Sequence, residues 1–396
     1  MEQDFSRALE LVNKHLSDIR RRVDKRDFDP NKVAEIEVND FYYQGETVPR
    51  MMVVLRATGC QHYSEHQGCS MCGHFEGTTS QPVKTENYLN QWRSVLGGVL
   101  EDKNGVNFDI NDYPILCIYN LGSFLNPKEI PPEAAQAIFS SLNRYTGIKK
   151  VIIESRSEYV TPETLKNIRD FYQGTIEVGI GLESNNYQIR ELCHHKNMPD
   201  LNQFRYAVKC LHDFNFKALA YVNQKPPFLT EKESINDAIQ TSIYAFEQGV
   251  DAVSIEPTSI QNNSLTDLLT RHGDYRVPWL WSVIEVVRGI YDHFGYDQKM
   301  DLRIGGYFDE TVLSGSQGVA PGVERNEIFP HTTSGNCPHC NTRIIDAIKE
   351  FNRTYDPQVL FSQEKCQSCY YQWQQEISQT ETKTIPQRII NILDII

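Results

Sequence analysis

The sequence lacks two features that would place it in or across a membrane. It has no run of about 18 apolar residues, and its first residues lack the apolar segment of a signal peptide. These absences predict a cytoplasmic protein without a membrane partner.

The sequence also lacks an excess of basic charge, because its formal net charge is −13. That balance disfavours a broad phosphate-binding surface, so a nucleic-acid substrate would need a local basic patch or a partner that grips it.

Disulfides are not expected, although the chain contains ten cysteines. Seven of them fall in one C-x8-C-x2-C motif and one pair of C-x2-C motifs, a spacing typical of metal ligands. The other three, Cys117, Cys193 and Cys210, are predicted to be buried thiols. The one dense basic run, from Arg20 to Arg26, lies at the end of a predicted helix over 4–23 and is interpreted as the solvated end of that helix.

A repeated strand-then-helix rhythm predicts the fold. Because the predicted strands are continuously apolar, we expect them to be parallel and buried on both faces, and right-handed crossovers would roll them into a full or partial parallel (β/α) barrel. No glycine-rich phosphate loop opens the first helix, which favours a barrel over an open doubly wound sheet. A hairpin with its turn at Gln44-Gly45 is predicted beside the first barrel strand. The predicted strands are 51–56, 114–119, 149–154, 175–180, 216–222, 251–255 and one near 301–306.

Three cysteines, Cys60, Cys69 and Cys72, follow the apolar run 51–55 and therefore lie on the loop that leaves the first barrel strand. Three local thiolates without a fourth favour a [4Fe–4S] cluster with one open iron, which can chelate S-adenosylmethionine (SAM). A zinc site completed by one of three nearby histidines, or thiols that bind no metal, are together an equal alternative at this point. Those histidines are His62, His66 and His74.

Polar residues end the other predicted strands, where barrel active sites collect. Each also has a plainer interpretation. Gly122-Ser123 can be a simple turn, and Glu154 can form a salt bridge with Arg156. Gly179 and Gly181 can provide packing space, and each lysine or arginine can be a surface cation. Arg190 and Lys196 lie just beyond Glu183 and Ser184 and can pair with a carboxylate. We expect the strand-end residues to surround one mouth; they are Gly122, Ser123, Glu154, Arg156, Glu183, Ser184, Lys225 and Glu256.

The C-terminal part holds a four-ligand signature, Cys337-x2-Cys340 and Cys366-x2-Cys369. A tetrahedral zinc site is the first interpretation, an auxiliary iron–sulfur cluster the second and unmetallated thiols the third.

An apolar helix over 385–396 is expected to dock on the barrel or on another chain. The predicted domains are an N-terminal helix and hairpin (1–48), the barrel (49–330) and the four-cysteine module with its tail (331–396).

In combination, these motifs resemble the archaeosine-forming radical SAM lyase family. The resemblance spans roughly residues 45–260, with the one departure that Asn120-Leu121 stands where small polar residues are expected. It rests on Arg56-Ala-Thr-Gly-Cys60, Gly68-Cys69-Ser-Met-Cys72-Gly73, Gly122-Ser123-Phe124-Leu125, Ile153-Glu154-Ser155-Arg156, Ile180-Gly181-Leu182-Glu183-Ser184 and Lys225-Pro226-Pro227-Phe228.

The resemblance implies that Cys60, Cys69 and Cys72 ligate a [4Fe–4S] cluster that cleaves SAM to a 5′-deoxyadenosyl radical. It implies a SAM site at Gly122–Ser123, Glu154, Arg156 and Glu183–Ser184, with Arg190 close by, and catalytic roles are predicted for Lys225 and Glu256. The implied reaction breaks a C–N bond of a lysine adduct on a 7-deazaguanine of tRNA. The implied partners are a lysine-attaching enzyme and an electron donor.

Two other functions compete with that one. The acidic charge favours a radical SAM enzyme that acts on a free small molecule or peptide. The other alternative is not an enzyme: it is an adaptor protein that binds zinc and is built on an inactive barrel.

Overall fold

The computed structural model describes residues 2–23, 26–98, 107–307, 310–315 and 332–396. Its central feature is one sheet of nine strands in the order β8-β7-β6-β5-β4-β3-β2-β1-β9. Neighbours from β2 to β8 run parallel, whereas β1 is antiparallel to both β2 and β9. The strands are β1 (Glu35–Tyr43), β2 (Glu46–Val54), β3 (Ile115–Tyr119), β4 (Lys150–Ser155), β5 (Thr175–Gly181), β6 (Lys217–Gln224), β7 (Ala252–Pro257), β8 (Asp301–Ile304) and β9 (Thr311–Gly315).

The sheet is curled, as a buried ion cluster shows. Arg303 on β8 donates to the Glu177 carboxylate on β5 over 2.6 Å, although three strand spacings of about 4.8 Å separate these strands in a flat sheet. Lys150 on β4 donates to the same carboxylate over 2.9 Å. Burial alone would raise the pKa of Glu177, but Arg303 and Lys150 outweigh it and hold the pKa at about 2. The predicted partial barrel is confirmed.

Helices cover the outside of this sheet, and the main core cluster lies between the two layers. The strands are buried on both faces because their apolar residues alternate between that core and the barrel interior, as Ile152 and Ile153 do. In the described part of the chain, the helices of six or more residues are Glu2–Arg21, Gln61–His66, Thr85–Gly97, Pro132–Leu142, Pro162–Arg169, Leu201–Asp213, Glu231–Glu247, Leu265–His272, Leu280–Phe294, Pro338–Thr354, Cys369–Ser378 and Ile385–Leu393.

The predicted hairpin needs one correction. Its turn lies at Gln44 and Gly45, both with positive φ (52° and 94°), as a two-residue turn between twisted strands requires. The return strand is not a neighbour of the first barrel strand, however, because β2 runs unbroken from Glu46 to Val54 and is itself that strand. The predicted domain boundary at residue 48 therefore falls inside β2, and the boundary at 330 lies outside the described residues.

The two ends of the chain meet beside the barrel. The N-terminal helix, Glu2–Arg21, packs against the last helix, Ile385–Leu393, in a second apolar cluster that includes Leu16 and Ile389. The apolar C-terminal helix therefore docks within its own chain, on the N-terminal helix and the barrel loops. No helix in the described part of the chain is long and apolar enough to cross a membrane.

Candidate functional site

The three cysteines of the first barrel loop line one cavity of about 550 Å³ at the carboxyl ends of the strands. The loop departs from β2 and folds back through the short helix Gln61–His66. Gly59 and Gly68 have φ of 101° and 75°, a backbone conformation that favours glycine. Cys60, Cys69 and Cys72 are thereby brought to one wall of the cavity.

Arg20, at the end of the N-terminal helix, binds this loop, a role that sequence reasoning missed. Its guanidinium donates to the backbone carbonyls of Gln67 (3.1 Å), Cys69 (3.3 Å) and Cys72 (3.0 Å). It also lies over the ring of Phe75, 4.3 Å from the centroid. The interpretation of this helix end as solvated is therefore wrong for Arg20, which binds the cysteine loop.

The positions of the three thiols fit a cluster of several irons better than a single zinc ion. Burial raises the pKa of Cys60 to about 12 and that of Cys72 to about 11, so each thiolate needs a cationic partner such as iron. A single metal ion needs ligand atoms that lie close together. Among the described residues, the one group of three or more Cys, His, Asp or Glu ligand atoms that all lie within 4.8 Å is elsewhere, at residues 337–369.

A buried glutamate, Glu129, joins the cysteine loop to the predicted SAM loop. Its carboxylate accepts hydrogen bonds from the backbone N–H groups of Gln61 (2.9 Å) and Ser123 (2.5 Å). Asn120 donates to it over 3.2 Å, which accounts for the unexpected asparagine before the Gly-Ser turn. Gly122 must be glycine here, because a Cβ atom would lie 2.1 Å from the Glu129 carboxylate. Sequence reasoning missed Glu129, which lies in a loop without an apolar pattern.

Glu154 and Arg156 both line the cavity but do not pair with each other. Glu154 accepts a hydrogen bond of 2.8 Å from the Tyr221 hydroxyl, and burial raises its pKa to about 7. Arg156 donates instead to Glu158 and to the carbonyl of Asn197. Among the described residues its buried Nη1 atom has no hydrogen-bond partner, so this donor can serve one more acceptor, such as a ligand carboxylate.

Glu183 lines the same cavity and forms an ion pair with Lys196 over 2.7 Å. The two strand glycines before it leave space for side chains of the protein. A Cβ atom at Gly179 would lie 2.6 Å from the Tyr221 ring, and one at Gly181 would lie 2.3 Å from the Lys196 amine. Both glycines also line the cavity, so packing space and access to a ligand coincide here.

Ser184 and Arg190 lie behind this wall and not in the cavity. The Ser184 hydroxyl donates to Asp237 over 2.7 Å. Arg190 donates to the carbonyls of Met198 (2.7 Å) and Ser184 (3.0 Å), and only 2% of its surface is exposed. The geometry gives both residues a role in holding the loop after β5.

Glu256 ends β7 and faces the cavity. The Ser254 hydroxyl donates to one of its carboxylate oxygens over 2.6 Å, and burial raises its pKa to about 7. Gly305 on the neighbouring chain segment must lack a side chain, because a Cβ atom would lie 2.0 Å from this carboxylate.

Lys225 is not brought into this cavity. Its amine donates to the buried carboxylate of Glu231, and Glu376 lies 3.9 Å away. It lines a second cavity of about 380 Å³, between the loop after β6 and the C-terminal helices. The geometry therefore lends no support to the predicted catalytic role of Lys225.

The four C-terminal cysteines meet as predicted. The sulfur atoms of Cys337, Cys340, Cys366 and Cys369 all lie within 4.8 Å of one another. The Cys337 and Cys366 sulfurs are 3.9 Å apart, close to the spacing of about 3.8 Å in a tetrahedral site with metal–sulfur bonds of about 2.3 Å. These distances fit one metal ion held by four thiolates.

Comparison with known proteins identifies the family. No protein-family model matches the chain. Archaeosine synthase subunit beta of Thermococcus kodakarensis is 30% identical over 79% of this chain and 87% of that protein. The subunit of the same name from Methanosarcina acetivorans is 27% identical over 87% and 90%, and an uncharacterised protein of Methanocaldococcus jannaschii is 28% identical over 86% and 87%.

Two solved structures are also similar to this chain. The queuine lyase from Clostridium spiroforme, bound to SAM and queuine, has a TM-score of 0.43 and 17% identity over 69% of this chain and 96% of that one. Methylornithine synthase has a TM-score of 0.42 and 11% identity over 76% and 69%. The family assignment rests on the sequence relatives and not on these likenesses.

The parallel half-barrel, the cysteine loop and these relatives define the class of protein as a radical SAM enzyme. More narrowly, the chain belongs to the archaeosine synthase subunit beta family.

Proposed function

We propose that this chain is the radical SAM lyase of archaeosine formation and that it breaks a C–N bond of a lysine adduct on a 7-deazaguanine of tRNA. One observation carries the proposal. In a member of the archaeosine synthase subunit beta family, the three thiols share one cavity with Gly122, Ser123, Glu154, Arg156, Glu183 and Glu256.

Cys60, Cys69 and Cys72 would hold a [4Fe–4S] cluster. When bound, the cluster and SAM supply a reductive cleavage that yields methionine and a 5′-deoxyadenosyl radical. The chain's own contribution is to fix the loop: Arg20 binds the carbonyls of two of the three ligands, and Glu129 binds its first turn. A fixed ligand loop keeps the reactive centre in one position relative to the substrate.

The SAM side of the cavity would be the wall formed after β3, β4 and β5. Gly122 lines the cavity with its backbone, and its missing side chain leaves room for the Glu129 carboxylate that fixes this turn. Arg156 Nη1 has no hydrogen-bond partner among the described residues and can donate to a carboxylate. Glu154 and Glu183 offer carboxylate oxygens to an ammonium or to ribose hydroxyls. Ser184 and Arg190 would support this wall without touching the ligand.

Glu256 lies on the β7 side of the same cavity and would face the substrate. A carboxyl group whose pKa is about 7 can hold or release a proton near neutral pH, which suits a group beside a cationic lysine adduct. We propose that Glu256 orients the lysine part of the substrate.

The proposal includes a partner protein, because this acidic chain lacks the positive charge that binding to tRNA requires. Two of the relatives are named subunit beta, a name that implies a second subunit in those proteins. With a net charge of −13, this chain would rely on a lysine-attaching partner to bind tRNA, and on a separate electron donor. We also propose that the four C-terminal thiolates hold zinc, since their spacing fits a single tetrahedral ion.

The test is anaerobic reconstitution with iron and sulfide, followed by metal analysis and an assay of dithionite-driven 5′-deoxyadenosine formation. About four irons and one zinc per chain are expected, with product formation accelerated by tRNA that carries the lysine adduct. Zinc without iron or product would contradict radical SAM chemistry. Product that free lysine-adduct base accelerates as well as modified tRNA does would favour the second candidate, a small-molecule enzyme, which the acidic charge supports.

A further inference from the structure

The four-cysteine site is in direct contact with the barrel through an indole. Trp281 belongs to the barrel helix Leu280–Phe294, and its Nε1 atom lies 3.3 Å from the sulfur of Cys369. Both residues are buried, with 4% and 1% of their surfaces exposed. An indole N–H can only donate, so the cysteine sulfur is the acceptor.

This contact crosses from one part of the chain to another. The four cysteines lie between residues 337 and 369, whereas Trp281 lies almost 60 residues before the first of them. The ring of Trp281 also meets Tyr370 edge to face, with centroids 5.2 Å apart. These contacts fix the position of the indole, so its N–H is aimed at one sulfur.

The same interface continues toward the loop after β6. Trp373 donates from its Nε1 atom to the Ser282 hydroxyl over 2.8 Å, and that hydroxyl donates to Glu231. Glu231 in turn accepts from the Lys225 amine. Three side chains of the barrel are therefore connected to the helix that begins at Cys369.

We propose that Trp281 is a positioning residue for the metal site: it donates a hydrogen bond to the metal-bound Cys369 thiolate and so makes the barrel part of that site. A thiolate on a metal keeps lone pairs that can accept, and outer hydrogen bonds of this kind orient a ligand and tune the metal. The inference rests on the proposed four-thiolate metal site and does not depend on the SAM chemistry.

The experiment compares Trp281→Phe with Trp92→Phe. The control also loses a buried indole donor, from Trp92 to Ser141 over 2.8 Å, but outside the four-cysteine site. Zinc affinity is measured by chelator competition, and the thiolate-to-metal absorption band is recorded after substitution with cobalt. We expect W281F to bind zinc about tenfold to a hundredfold more weakly and to shift the cobalt band, while W92F leaves both unchanged.

A zinc affinity of W281F equal to that of W92F, with an unshifted cobalt band, would overturn the inference. If W281F does not fold, the wild-type chain substituted with ¹¹³Cd is used: scalar coupling between the cadmium and one indole proton is expected, and its absence overturns the inference. Failure of the wild-type chain to take up any metal at the four cysteines would instead refute the proposed metal site itself.

Discussion

The Arg20 guanidinium donates a hydrogen bond of 3.0 Å to the backbone carbonyl of Cys72. This bond joins the N-terminal helix to the cysteine loop across 52 residues of sequence. The same side chain contacts Cys69 and Gln67, so one residue outside the barrel defines the shape of the proposed cluster loop.

Replacing Arg20 should loosen the cluster. A hydrogen bond from a charged group contributes about 1.5–3 kcal/mol, so we expect Arg20→Met to lose iron to a chelator roughly tenfold faster than the wild type. Iron release is followed by the absorbance of the reconstituted protein. The matched control is Arg21→Met, whose side chain is 74% exposed and should change nothing. Equal iron release in both variants would contradict the role assigned to Arg20.

Replacing Cys69 should abolish SAM cleavage without unfolding the chain. We expect Cys69→Ala to form no 5′-deoxyadenosine and to retain less iron, because the cluster loses one of its three protein ligands. As the control, Cys210→Ala removes a buried thiol that lies in the helix Leu201–Asp213, outside the cavity. The product assay and far-ultraviolet circular dichroism check both variants, and normal turnover in Cys69→Ala would refute the cluster assignment.

The fold and the ligand cysteines were predictable because both signals are local. An apolar run of five to seven residues marks a strand wherever it lies, so the predicted strands agree with β3 to β7 to within two residues at each end. The spacing of Cys60, Cys69 and Cys72 is likewise local. Arg20 and Glu129 were not predictable, because their roles depend on how a helix and a loop dock across the chain.

The side-chain directions at the strand ends were not predictable either. The sequence places Lys225 and Glu256 at the same edge of the sheet, yet only Glu256 faces the cavity. Lys225, with a φ of 61°, instead directs its amine to Glu231, which lies on the following helix. The position of a residue at a strand end shows which edge of the sheet it lies on. The direction of a lysine side chain depends instead on the nearest buried carboxylate with which it can pair.

Glu256 should make stability depend on pH. Burial raises its folded pKa to about 7, whereas an unfolded glutamate has a pKa of about 4.3. The stabilising contribution of the protonated group is therefore complete below about pH 4.3 and is lost as the pH rises through about 7, by up to roughly 4 kcal/mol. We expect Glu256→Gln to match the wild type near pH 4.5 and to exceed its free energy of unfolding at pH 8.

Denaturant unfolding at the two pH values measures this difference. The exposed Glu86→Gln is the control and should follow the wild type at both. A wild-type chain that is as stable as Glu256→Gln at pH 8 would show that folding does not raise the pKa of this carboxyl group.

Lys225 and Glu231 should stabilise the fold as a pair. Their side chains are 6% and 0% exposed, and removing one partner of such a pair leaves a buried charge that costs about 3–5 kcal/mol. We therefore expect Lys225→Met to be strongly destabilised, and the same change to cost much less in a Glu231→Gln background. The control pair is Lys209 and Asp213, whose side chains are 69% and 52% exposed and should couple weakly. A double-mutant cycle on the free energy of unfolding gives the coupling, and a value near zero for the buried pair would return Lys225 to consideration as a catalytic residue.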